Sequence, residues 1–171
     1  MFQDEARFGR ITIPRRCWCP PDIRAEAPQQ IVREYTYAYA SLSPLDGKMD
    51  SLILPSMYAN SMTVFLEEIS RRYSQDYILM VMDGAPCHRA GTLKIPNNIE
   101  ILQLPPYSPQ LNPVENLWDE LREKFFGNHV FRDMEAVEKQ LVLGLLSLEN
   151  DNEKVQKISG WKWILDAIKY P

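Results

Sequence analysis

Three acidic residues stand where a carboxylate can do chemistry: Asp4, Asp83 and Glu115. Asp4 lies in the alternating stretch FQDEARFGRITI, Asp83 closes the apolar run YILMVMDG, and Glu115 opens the amphipathic stretch NPVENLWDELREKFF. Carboxylates drawn from separate segments suit hard divalent cations, because Mg2+ takes oxygen ligands and keeps positions open for water and phosphate. Two such ions about 3.5–4 Å apart can activate an attacking water or hydroxyl and stabilise the departing oxygen of a phosphodiester during in-line displacement. That reaction needs no nucleophilic side chain. In keeping with this, the sequence has neither a GxSxG elbow nor a GxxxxGK[ST] phosphate loop, and its only histidines are His88 and His129.

Each carboxylate also has a plainer reading. Asp83 and Gly84 form a turn dipeptide in their own right. Asn112, Pro113, Val114 and Glu115 spell a helix start, with Asn as N-cap, Pro at N1 and Glu as the N3 partner of a capping-box-like pair, so capping and metal binding compete for Glu115. Asp4 by itself reads as an exposed strand residue. Because side chains alternate along a strand, Asp4 and Glu5 face opposite ways and only one can share a site with Asp83; Asp4 is the one expected there. Asp119, four residues beyond Glu115, shares its helix face and is a supporting candidate.

The elements that must position these groups follow from periodicity. FQDEARFGRITI reads as a strand, with a turn near Gly9 that starts a second one, and the proline-rich CWCPPDIRAEAPQQ reads as a loop. IVREYTYAYASL and DGKMDSLILP form an antiparallel hairpin across Ser43-Pro44-Leu45-Asp46-Gly47. In NSMTVFLEEISRRY the residues Met62, Phe65, Leu66 and Ile69 recur at helical spacing, with Asn60 or Ser61 as N-cap. YILMVM and IEILQLPP read as buried parallel neighbours joined by a short crossover through residues 89–98, and helices are expected over NPVENLWDELREKFF, 133–148 and 153–168. The chain is therefore α/β with a mixed sheet, an antiparallel meander feeding parallel strands with helices packed on them, which is the ribonuclease H-like arrangement. In open sheets of this kind the ligand edge is the carboxyl end of the parallel strands, where Asp83 lies.

A length of 171 residues with 45% hydrophobic content fits one globular domain over 1–171. No apolar run approaches about eighteen residues and the start MFQDEARFGR has no apolar signal region, so a soluble cytoplasmic protein without a membrane partner is expected. Three cysteines, two of them the closely spaced Cys17 and Cys19, suit a reducing compartment. With Cys87 and His88 they can be drawn as a zinc site, but structural zinc sites usually show paired Cys-x2–4-Cys spacing. The net charge of −4 weighs against a nucleic-acid partner. That objection weakens if part of the acidity is a metal site, since bound cations invert the local electrostatics. Arg7, Arg10, Arg15, Arg16 and Arg24 form a basic group that reads equally as a solvated loop face or as phosphate contacts.

The strings QDEARFGR, CWCPP, YTYAYASLSPLDGK, MDGAPCH and LPPYSPQLNPVENLWDELR resemble, in that order, the catalytic domain of bacterial insertion-sequence transposases of the mariner-like superfamily. PPYSPQLNPVENLW is the most distinctive part. The resemblance implies a DDE triad at Asp4, Asp83 and Glu115, with thirty-one residues between the last two. It also implies a ribonuclease H-like fold, Mg2+ or Mn2+ as cofactor with two ions expected, and strand cleavage at element ends followed by strand transfer. The implied partners are transposon-end and target DNA, in a working complex that is at least a homodimer and associates with the nucleoid when on DNA. Within this resemblance His88 and Asn112 are supporting candidates, His88 near phosphate or metal and Asn112 ordering the turn before Glu115. Tyr107 and Trp118 are candidates for base stacking, although Trp118 keeps core spacing with Leu121.

Family members carry helix-turn-helix domains ahead of the catalytic domain, whereas three residues precede Asp4 here. That region is therefore expected to be absent, with end recognition left to a separate N-terminal part, and the strand bearing Asp4 is expected to fray. Two rival readings stay open: a ribonuclease H-like nuclease that stops at hydrolysis, and a catalytically incompetent truncated transposase acting as an interaction module.

Overall fold

The computed structural model describes residues 1–85 and 92–169. Strands β1 (Phe2–Ile11), β2 (Ile31–Leu42) and β3 (Met49–Leu54) form an antiparallel meander, and β4 (Ile78–Met82) and β5 (Ile99–Gln103) extend it in parallel. The sheet order is β3-β2-β1-β4-β5, the ribonuclease H-like arrangement. The β2–β3 hairpin forms where expected. Gly47 takes a left-handed φ of 71°, and a Cβ there would lie 2.0 Å from the Asn152 carbonyl oxygen.

Two expectations for β1 fail. Gly9 does not break the strand; it sits beside a register shift between Gly9 and Ile11, where a Cβ would meet the Glu34 carbonyl oxygen at 2.1 Å. Nor is the start of the strand frayed, because it is central in the sheet. Phe2 pairs with Leu42 on one side and Val81 on the other, and the Met1 amine donates to the Leu79 carbonyl at 2.7 Å.

Helix α1 (Ala59–Arg72) lays Met62, Phe65, Leu66 and Ile69 onto one sheet face against Tyr39, Ile78, Met80, Met82 and Ile99. It is capped by neither Asn60 nor Ser61. Its N-cap position is Tyr58, and the Ser61 hydroxyl instead pairs with that of Ser56 at 2.8 Å. The opposite face is covered by α2 (Val114–Leu121), α3 (Met134–Glu149), α4 (Asn152–Ser159) and α5 (Lys162–Lys169). Here Ala6, Ala38 and Ala40 are small enough for Leu117, Trp118, Leu121, Leu141 and Leu145 to pack closely on the strands.

Two helical segments differ from their periodicity. The α2 helix passes after Leu121 into a π turn, Arg122–Phe126, and this wider turn lets both Phe125 and Phe126 reach the core; the Phe126 ring lies 4.8 Å from that of Phe8. The expected helix over 153–168 is two helices, parted at Gly160, whose N–H closes the first by donating to the Gln156 carbonyl at 2.7 Å. Among the described residues, no helix is long and apolar enough to cross a membrane.

Candidate active site

Asp4 points from β1 toward the α2 face, alternating with Gln3 and Glu5, and only 9% of it is exposed. Asp83 is the first residue past β4, at the carboxyl end of a parallel strand, and the Met82 carbonyl accepts from the Leu104 N–H at 2.8 Å, which holds the end of β5 alongside. Asp83 serves the turn and also reaches the cavity. Its Oδ1 accepts from the Ala85 N–H at 2.9 Å, as a turn residue would, and its side chain lines the same pocket as Asp4.

Glu115 arrives by a longer route. After β5 the chain runs through Pro105 and Pro106, takes a left-handed step at the fully exposed Tyr107 (φ 57°), and makes a single 3-10 turn over Pro109–Leu111. Asn112 follows, almost completely buried. Its Nδ2 donates to the Gln3 carbonyl at 2.9 Å and its Oδ1 accepts from the Val114 N–H at 3.2 Å, so one amide ties the start of α2 to β1 beside Asp4. The second half of the capping box is not used for Asn112, whose own N–H donates to the Pro109 carbonyl at 2.9 Å. Glu115, half-buried, lines the pocket instead. The structure thus brings Asp4, Asp83, Glu115 and Asn112 together around a cavity of about 460 Å3.

Burial and mutual repulsion dominate the electrostatics at Asp4 and Glu115. Burial pushes the Asp4 carboxyl up to about 8, and the charges of Glu115 and Glu5 push the same way. The Trp118 indole N–H opposes them by donating to Asp4 Oδ2 at 2.9 Å. Glu115 is also raised, chiefly by burial; Arg122 pulls it down while Asp119 and Asp83 push it up. An all-oxygen, mutually repelling set of this kind suits a hard divalent cation. Among the described residues no three acidic, histidine or cysteine side chains already enclose an ion, so closing on a cation calls for side-chain rotation, as at Asp83 with its oxygen turned to Ala85.

The remaining expected residues fall elsewhere. His88 and Cys87 lie outside the described residues, and Cys17 and Cys19 are exposed. Asp119 does not line the pocket. Its exposed carboxylate lies in the neighbouring groove, 3.8 Å from Arg15 and 4.0 Å from Arg122, and it acts on Glu115 only as a charge. Arg10 is structural, bonding Glu34 and the carbonyls of Phe131 and Arg132.

Trp118 is fully buried, so it is core and not a base-stacking surface; what its spacing did not reveal is that its N–H meets Asp4. Its signal was available: a buried indole N–H needs an acceptor, and Trp118 sits three residues beyond Glu115.

The DDE superfamily endonuclease family model matches residues 1–138. The chain belongs to this family. The DDE domain is 31% identical over 130 residues to the uncharacterized protein y4pE/y4sA of Sinorhizobium fredii (strain NBRC 101917 / NGR234), a match covering 75% of this chain and 96% of that protein.

Among solved structures it resembles the Mos1 transposase paired-end complex with left transposon end, at 19% identity and a TM-score of 0.60 over 93% of this chain and 55% of that one. It is also similar to a pre-cleavage Mos1 transpososome, at 16% identity and a TM-score of 0.62 over 94% and 55% of the two chains. A third likeness is to the Mos1 mariner paired-end complex with Mn, at 18% identity and a TM-score of 0.61 over 92% and 52%. At these identities the likeness is one of fold, and the DDE domain spans about half the length of the Mos1 chains it matches.

Proposed function

We propose that Asp4, Asp83 and Glu115 hold Mg2+ or Mn2+, two ions in the working site, and that the domain cleaves DNA and transfers the freed strand end into a target during transposition. The observation that carries this reading is the meeting of three carboxylates, from β1, the end of β4 and α2, at one cavity in a DDE-family chain. Mos1, similar in fold, has been crystallised with Mn, with Mg and with a transposon end, which supports the same cofactors and substrate here.

When bound, the cations would polarise the scissile phosphate and acidify the attacking water. The chain's own residues do the rest. Trp118 holds Oδ2 of Asp4 and so fixes its carboxyl at the cavity, while Asn112 ties the start of α2, which carries Glu115, to β1 beside Asp4. Because burial raises the Asp4 carboxyl, a bound cation would displace its proton, and cation binding is expected to strengthen as pH rises. The partners that go with this reading are element-end and target DNA, in a complex of at least two copies, with end recognition by a helix-turn-helix part.

Calorimetry of Mn2+ binding to the parent beside Asp4→Ala, Asp83→Ala and Glu115→Ala, each confirmed folded by circular dichroism, tests the site. Binding by the parent that weakens in all three variants is expected. A folded parent that binds no Mn2+, or variants that bind as well as it does, would remove the site. A strand-transfer assay with supplied element ends then separates a transposase from a nuclease that stops at hydrolysis.

A further inference from the structure

We propose that the groove beside the carboxylate cavity, lined by Arg7, Arg15 and Arg122, binds the phosphodiester backbone of DNA flanking the cleaved bond. This rests on the DNA chemistry proposed above. The two sites share their framework. Along α2 and the π turn after it, Glu115 lines the cavity, while Asp119 and Arg122, four and seven residues on, line the groove. Along β1, Asp4 lines the cavity and Arg7 and Phe8 line the groove. Among the described residues β4 pairs with β1 at Phe2 and Val81 alone, so beyond Asp4 that edge of β1 has no described β4 partner.

Both paths separate the sites by about 10 Å, from roughly 1.5 Å per helical residue and 3.3 Å per strand residue. Backbone charge recurs about every 3.4 Å of axis along one DNA strand, so the groove would meet phosphates about three positions from the reacting one.

The groove, about 450 Å3 in volume, is lined by three guanidiniums and the Asp119 carboxylate, with Glu123 also beside Arg15, in a chain whose net charge is −4. Aromatic rings orient two of them: Arg7 lies 4.3 Å above the Tyr35 ring and Arg122 lies 5.6 Å from the Phe8 ring. Their ion pairs are loose. Arg15 stands 3.8 Å from Asp119 and 3.6 Å from Glu123, and Arg122 stands 4.0 Å from Asp119, all beyond hydrogen-bond length. A phosphate offering shorter, bidentate contacts would displace them. Arg122 also acts on Glu115 across the boundary between the two sites, so an anion seated on Arg122 is electrostatically linked to the cavity.

The test is fluorescence anisotropy of a labelled DNA duplex with the full chain in EDTA, across a salt series, for Arg7→Ala, Arg15→Ala, Arg122→Ala and Arg122→Lys. Arg71→Ala, an exposed residue on α1 paired with Glu68, is the control. Each alanine variant is expected to weaken binding several-fold and to lower the slope of log affinity against log salt by about one, with Arg122→Lys retaining the slope and Arg71→Ala matching the parent. Arg7 is exposed, so its replacement keeps the test meaningful if Arg122→Ala unfolds.

A parent that binds no DNA at low salt, or groove variants with the parent's slope and affinity, overturns the proposal. Mn2+ calorimetry on the same proteins distinguishes the two failures: a normal Mn2+ response with an unchanged DNA slope removes only the groove, whereas an absent Mn2+ response in the parent removes the metal reading.

Discussion

Asp4 and Asp50 are both buried aspartates on the same sheet, 9% and 7% exposed, but they are treated in opposite ways. Asp50, on β3, accepts from Arg72 Nη1 at 2.7 Å and from the Tyr73 hydroxyl at 2.6 Å, so the α1 side supplies its counter-charge from within. Asp4 accepts from the neutral Trp118 indole and the Glu5 backbone, has Glu115 and Glu5 as charged neighbours, and among the described residues pairs with no lysine or arginine. Burying a charge is costly unless it is paired, so the fold resolves that cost internally at Asp50 and leaves it unresolved at Asp4. A buried carboxylate left in that state fits the metal-ligand role proposed for Asp4.

The largest expected effect is on chemistry. Asp4→Asn should abolish Mn2+ binding and lower DNA cleavage by about a hundredfold or more, while Asp50→Asn leaves cleavage per folded molecule close to the parent. Equal losses in both variants, measured at matched folded fraction, would erase the distinction between the two aspartates.

Stability should move the other way. Asp50→Asn should cost about 2 kcal/mol in urea titration, between the values for exposed and buried ion pairs because Arg72 is partly exposed. For Asp4 the folded-state value of about 8 lies above the ordinary 3.8, so the folded protein keeps a proton that the unfolded chain releases, and stability falls as pH rises through that window. Asp4→Asn removes this fall. In EDTA at about pH 9 it should therefore be more stable than the parent by on the order of a few kcal/mol, with the gap closing toward about pH 4. A gap that stays constant with pH would mean that Asp4 carries no buried charge of the kind described.

The smallest effect is expected at Trp118. Trp118→Phe keeps the ring against Phe8 and removes the hydrogen bond to Asp4, and should weaken Mn2+ binding about tenfold at a stability cost of about 1 kcal/mol. If stability falls and Mn2+ affinity does not, the indole acts only in packing.

Much of the frame was legible because its signals are local. Alternation marked β1, β-branched and aromatic residues leading into a turn signal marked β2 and the hairpin, the three-and-four spacing of Met62, Phe65, Leu66 and Ile69 marked the buried face of α1, and an apolar run stopping at Asp83 marked the end of a parallel strand. The family motifs pointed to the three carboxylates that line one cavity. Less legible were Gly9, which reads as a turn in isolation but serves a bulge in a paired strand, and the π turn after Leu121, which depends on where Phe125 and Phe126 can be buried.

By itself, then, the sequence determined the order of elements, which faces are buried, and which carboxylates stand at element ends, since each of these follows from residues a few positions apart. Tertiary structure decided which buried charge is partnered and which is not. Trp118 meets Asp4 across 114 positions and Asn112 meets Gln3 across 109, while Asp119, on the same helix as Glu115, faces the arginines instead. The periodicity of a helix or strand says that a side chain is turned inward; the energy of a buried charge depends on what the rest of the chain brings to meet it.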